Sequence, residues 1–257
     1  MKQFKFIEWQ TEDTTVTVWL NRAPVNAVNS EMYLEIQDLF ANLATYFPDA
    51  RAVILAGRGK HFCAGNDLAE FQSMNPENAP GRMKQVREAF WAIYDAPIPV
   101  IAAVHGAAVG AGLGIAASCD LIVAADDAKF ALPEINVGVM GGAKHLSRLV
   151  PEGMVRLMYY TGELFEAQKL HPFGGIVDIV PADELLNAAR GLASSIARHS
   201  PIALRFAKRN LNAVEYAELK AGYEFEQKGT AELSGYADAK EAVNAYLEGR
   251  TPVYTGR

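Results

Sequence analysis

Near the start of the chain, Val16, Val18 and Leu20 alternate with Thr15, Thr17 and Trp19. A period of two marks an extended strand with its two sides in different surroundings. A loop from Asn21 to Asn29 follows. Ser30 is then placed to cap a helix whose apolar positions, Ile36, Leu39, Phe40 and Leu43, recur at helical spacing. Val53, Ile54 and Leu55 predict a second strand, closed by Gly57 and Gly59, and after the HFCAGNDL loop Val86, Phe90 and Ile93 mark another amphipathic helix. Val100 to Val104 is a wholly apolar strand, followed by a glycine-rich turn, an alanine-rich helix and a strand at Leu121 to Ala124. Strands alternating with helices, and apolar on both sides, predict an α/β fold whose sheet is covered on both faces. Beyond about Pro181 the pattern becomes helical, over Leu185 to His199, Ile202 to Val214 and Ala239 to Leu247.

The run from Ala96 to Cys119 carries no Asp, Glu, Lys or Arg and is long enough for a membrane span. Pro97, Pro99 and the glycines at 106, 110, 112 and 114 make it a poor continuous helix, so it reads as buried strand, turn and helix of a soluble protein. The 257 residues are half apolar, with 30 acidic against 24 basic side chains and a net charge of -6. That balance argues against nucleic acid or an anionic membrane as the main partner. Two cysteines, Cys63 and Cys119, make no disulfide framework and suit a reducing cytoplasm. Both read as small buried residues, and no Cys/His cluster supports a metal site.

Three segments carry candidate chemistry. In VHGAAVGAGLGIAASCD, Val104 to Asp120, a strand leads through glycines into a helix. The spacing departs from a dinucleotide-binding G-x-G-x-x-G. It suits a turn whose N–H groups and helix dipole face a developing oxyanion, with small residues at Gly110, Ala111 and Gly112 letting a carbonyl approach. In HFCAGNDL, His61 to Leu68, Cys63, Ala64 and Gly65 permit a similar approach. In FALPEINVGVMGG, Glu134 is a single acid among apolar neighbours. If it is buried its pKa rises, which suits proton transfer near neutral pH; a surface carboxylate or helix cap is the alternative.

In this order the three segments resemble the crotonase superfamily, the enoyl-CoA hydratase/isomerase family. The resemblance extends to LNRAPVNAV, the TGE at Thr161 to Glu163 and the YLEGRTPVYTGR end, so it covers nearly the whole chain. It implies a crotonase-type β/α spiral core over 1–180 that binds acyl-CoA. A helical region over 181–257 would serve oligomerisation and cover the pocket. It further implies a cytoplasmic homotrimer or dimer of trimers of fatty acid metabolism, with no cofactor beyond the CoA carried by the substrate. By the same resemblance, the amides of Ala64 and Ala111 hold the thioester oxygen of an enolate, and Glu134 is the acid/base. Gly110 and Gly114 border the substrate, while Arg22, Ala23, Asn66, Asp67 and Leu68 lie near the adenine end of CoA. Lys208 meets the CoA phosphates.

Two departures qualify this. Two-glutamate hydratases of the family carry their first glutamate where this chain has Gly114, which has no side chain for acid or base work. Members with only the later glutamate include Δ3-Δ2-enoyl-CoA isomerases and hydratase-lyases of the feruloyl-CoA type, and the glycine is expected to leave room for a bulkier acyl group. An acyl-CoA-binding protein without hydratase activity is the other reading. After Glu134 the chain runs Gly141-Gly142-Ala143-Lys144-His145, expected as a solvated helix start, with pocket lining by Lys144 and His145 as its alternative.

Overall fold

The computed structural model describes residues 2–256. Among the described residues nine strands form two sheets: β1 (Ile7–Glu12), β2 (Thr15–Leu20), β3 (Ala52–Gly57), β4 (Val100–Val104), β5 (Ala107–Val109), β6 (Leu121–Ala125), β7 (Lys129–Ala131), β8 (Phe165–Glu166) and β9 (Asp178–Val180). The larger sheet runs β1-β2-β3-β4-β6-β9. It is parallel throughout except for the β1–β2 hairpin, and the smaller sheet runs β5-β7-β8. The central parallel strands β3, β4 and β6 are dense in Val, Ile and Ala, and both of their faces are buried. On one face Val18, Leu20, Val53, Leu55 and Val104 meet Met32, Ile36 and Leu39 of the Ser30–Ala41 helix and Ile93 of the Ala79–Tyr94 helix. On the other, Ile54, Ile101 and Val123 pack against Leu185, Ala189 and Ala193 of the Leu185–Ala197 helix.

The first helix of the carboxy-terminal region completes the sheet's second face, and β9 extends the sheet up to Val180. The helices read at 185–199, 202–214 and 239–247 form as Leu185–Ala197, Pro201–Val214 and Ala237–Glu248. A further helix, Leu219–Leu233, escaped the sequence pattern because its buried positions are Gly222 and Gly229 rather than large apolar side chains. A β-carbon at Gly229 would strike the Asn210 side chain, so the helix approaches its Pro201–Val214 neighbour through a bare backbone.

The uncharged run from Ala96 to Cys119 becomes β4, β5 and the buried Ala111–Ser118 helix. Among the described residues no helix is long and apolar enough to cross a membrane.

Candidate active site

The HFCAGNDL loop is held between two neighbours. On one side the Cys63 N–H donates to the Ala107 carbonyl and the Val109 N–H to the Cys63 carbonyl, both at 3.0 Å, tying the loop to β5. On the other, the Val28 N–H donates to the Gly65 carbonyl at 2.8 Å and the Asp67 N–H to the Val28 carbonyl at 2.9 Å, tying it to the Asn21 to Asn29 loop. Between these anchors Gly65 takes φ +104°, a region that favours glycine. A β-carbon there would lie 2.9 Å from the Val109 carbonyl oxygen and 3.9 Å from the Ala111 nitrogen, so the glycine lets the loop backbone reach the helix start.

This arrangement corrects one expected donor. The Ala64 N–H points to the Val25 carbonyl at 3.0 Å and is therefore engaged within the fold. The Asn66 N–H has no acceptor among the described residues, and Asn66, unlike Ala64, lines the cavity beside the helix start. In a regular strand the amides of residues 64 and 66 would share a side. The positive φ of Gly65 breaks that alternation. The Asn66 side chain is held by the Tyr33 hydroxyl, which donates to its Oδ1 at 2.6 Å.

Ala111 opens the Ala111–Ser118 helix, so its N–H belongs to the first turn and lacks an intrahelical acceptor. Gly110 before it has φ +55°, and its N–H donates to the Ala131 carbonyl of β7 at 2.9 Å. Gly112 lies so close to the Cys63 carbonyl that a β-carbon would overlap it. Tight packing of the glycine turn thus requires a glycine at 112.

Glu134 begins a short 3-10 turn, Glu134–Val137, after Pro133. Only 8% of it is exposed, and its Oε2 is buried without a hydrogen-bond partner. A β-carbon on Gly110 would stand 3.1 Å from its Oε1, which places the carboxyl directly across from the helix start. Asn66, Gly110, Ala111 and Glu134 line one cavity of about 320 Å³, whose remaining wall includes Met74, Met83, Val86, Phe90, Val139 and Met140. Among the lining residues Glu134 is the sole ionisable side chain. Burial pushes its carboxyl above the usual carboxylate range.

Two amides without acceptors among the described residues and a buried carboxyl thus share one largely apolar chamber. The sequence profile of the enoyl-CoA hydratase/isomerase family matches residues 10–257. The chain belongs to the enoyl-CoA hydratase/isomerase family. It is 37% identical, over 93% of both chains, to the (7aS)-7a-methyl-1,5-dioxo-2,3,5,6,7,7a-hexahydro-1H-indene-carboxyl-CoA hydrolase of Rhodococcus jostii. With the 2,3-dehydroadipyl-CoA hydratase of Escherichia coli it shares 36% identity, over 93% of this chain and 94% of that one. The crystal structure of an enoyl-CoA hydratase from Bacillus anthracis superposes with a TM-score of 0.92 at 30% identity, covering 98% of this chain and all of that one. The α/β core with its helical carboxy-terminal region is accordingly the crotonase fold.

Within this hydratase/isomerase framework the other expected residues separate. Arg22 and Asp67 form an ion pair at 2.6 Å, and a second Arg22 nitrogen donates to the Ala27 carbonyl at 2.7 Å. The two loops expected near the adenine end of CoA, Arg22–Ala23 and Asn66–Leu68, thus lie side by side, with Leu68 exposed. Gly114 differs from expectation. It is buried outside the cavity wall, and a β-carbon on it would lie 2.6 Å from Cε2 of Phe90, so the space beside it is filled by that ring. Lys208 also differs: its side chain is 4% exposed, and its Nζ lies 2.6 Å from Asp120 Oδ2, away from the Glu134 cavity.

Lys144 and His145 line a second cavity, of about 420 Å³, with Trp91, Tyr94, Arg148 and Tyr216. The Lys144 ammonium sits 3.8 Å from the centre of the Tyr216 ring, and burial lowers the His145 pKa. Cys63 and Cys119 are buried, and burial pushes the Cys63 thiol up to about 12, which suits packing rather than reactivity. Tyr33 and Phe90 were not singled out as site residues by sequence. Phe90 was legible only as a core position of its helix, and nothing in the spacing distinguished Tyr33.

The raised Glu134 carboxyl has a measurable consequence. Its folded pKa lies above the ordinary value of 4.5, so the fold favours the protonated form. This contribution to stability is fully present below that ordinary value and is lost as pH rises through the raised one. The urea midpoint of the native protein should therefore gain on that of Glu134→Gln between about pH 8 and about pH 5. A constant difference across that range would mean a carboxyl in contact with solvent.

Proposed function

We propose that the protein transforms the acyl part of a CoA thioester through an enolate, with Glu134 as its single acid/base. The thioester oxygen is received by the N–H groups of Ala111 and Asn66, the second replacing the donor first expected at Ala64. As negative charge moves onto that oxygen, each preorganised donor lowers the barrier by roughly 3 kcal/mol, and the positive end of the Ala111–Ser118 helix adds to the effect. Glu134 then exchanges a proton with the acyl carbon or with a water that attacks it. The observation carrying this reading is the buried Oε2 of Glu134, unpartnered in the same cavity as the Ala111 and Asn66 backbones.

The adjoining Arg22–Ala23 and Asn66–Leu68 loops support a seat for the nucleotide end of CoA. Exposed Leu219, Tyr246 and Leu247 support assembly of several copies, as a trimer or dimer of trimers. Buried, unpaired cysteines are compatible with a reducing, cytoplasmic compartment.

The test is spectroscopic. Loss of the enone absorbance of crotonyl-CoA indicates water addition, and appearance of that absorbance from a 3-enoyl-CoA indicates isomerisation. Absence of either change, with acyl-CoA binding retained, would leave a binding protein. The hydrolases among the relatives favour a second reading, in which the water directed by Glu134 ends in bond cleavage. Mass analysis of products formed in isotopically labelled water separates cleavage from simple hydration.

A further inference from the structure

Phe90 lies at the junction of three features that the proposed chemistry leaves unexplained. Its ring occupies the space that any side chain at residue 114 would need, with Cε2 and Cζ at 2.6 and 2.8 Å from a β-carbon built there. The same residue lines the Glu134 cavity. The ring also meets His145 edge-to-face, with centroids 5.1 Å apart, and His145 belongs to the second cavity. The two chambers therefore adjoin across the Phe90–His145 pair. Phe90 is held in place: it is 6% exposed, and its ring also contacts Tyr33 at 6.3 Å.

We propose that Phe90 is the residue that limits the acyl group accepted by this protein, by closing the Glu134 chamber beside Gly114 and walling it off from the His145 chamber. The inference rests on the acyl-CoA reading of the Glu134 cavity. At about 320 Å³ that chamber is near the lower end of the roughly 300–1,000 Å³ typical of small-molecule sites. It suits a short acyl group; a longer or ring-bearing one needs the volume now held by Phe90. A glycine at 114 thus does not create room by itself, because a residue from another helix has taken the room. The second chamber, of about 420 Å³ and lined by Trp91, Tyr94 and Tyr216, supplies apolar surface for a longer chain once the partition is cut back.

The experiment compares wild type, Phe90→Ala and Phe90→Leu with crotonyl-CoA and 2-decenoyl-CoA. The ratio of kcat/KM for the long substrate to that for the short one should rise by about tenfold or more in Phe90→Ala and by less in Phe90→Leu. Dissociation constants for butyryl-CoA and decanoyl-CoA, measured on the same proteins, should shift the same way. These saturated thioesters give the answer even where turnover is too slow to follow. A merely structural role would weaken both substrates together and leave the ratio within about threefold of wild type, which overturns the proposal. If Phe90→Ala does not fold, the Leu variant decides by the same ratio. Failure of the wild-type protein to bind either saturated thioester would instead overturn the acyl-CoA reading of the cavity.

Discussion

Replacing Glu134 with glutamine should lower kcat by about two to four powers of ten, while the dissociation constant for an unreactive acyl-CoA stays within roughly threefold of wild type. The change removes a transferable proton and preserves shape. Because the carboxyl is buried opposite Gly110 and Ala111 with no hydrogen-bond partner on Oε2, no neighbouring side chain of the cavity can assume its role. The wild-type rate should carry the signature of the same group. Where the ionised carboxylate accepts the proton, kcat/KM falls on the acid side through a pKa above the ordinary 4.5, since burial raises it. A variant that keeps turnover within tenfold of wild type would move the acid/base role away from Glu134.

The second large effect concerns Lys208, and it is one of stability. Its ammonium is buried against Asp120 Oδ2, which also accepts the Val100 N–H at 2.7 Å. The pair thus ties the Pro201–Val214 helix to the start of β4 and to the turn before β6. Lys208→Met keeps the apolar stem but leaves the Asp120 charge without its partner. A loss of about 3 kcal/mol in unfolding free energy is expected, the lower end of the range for breaking a buried pair because Asp120 retains some solvent contact. KM for an acyl-CoA should not change. A KM raised about tenfold with unaltered denaturation would return Lys208 to the CoA phosphates.

These two residues illustrate different kinds of legibility. Glu134 could be singled out in the chain because an isolated acid between Pro133 and Ile135 is unusual in an apolar setting, and burial gives such an acid its chemistry. The resemblance assigns Lys208 to the CoA phosphates, and spacing does not reveal its partner 88 positions away. The amide donor shows a third case. HFCAGNDL announces a close backbone approach, but which N–H remains without an acceptor depends on Gly65 at φ +104° and on what Val25 and Val28 take from the loop.

Local order alone marked the strands β2, β3, β4 and β6, the main amphipathic helices, the glycine turn and an isolated acid at 134 whose burial it left open, since periodicity and backbone permissiveness are properties of neighbouring residues. Only the tertiary structure decided that Asn66 rather than Ala64 presents its amide, that Lys208 is neutralised by Asp120, and that Phe90 occupies the room beside Gly114. Each of those outcomes depends on groups far apart in the chain competing for one hydrogen bond, one charge or one volume, and that competition is settled when the elements pack.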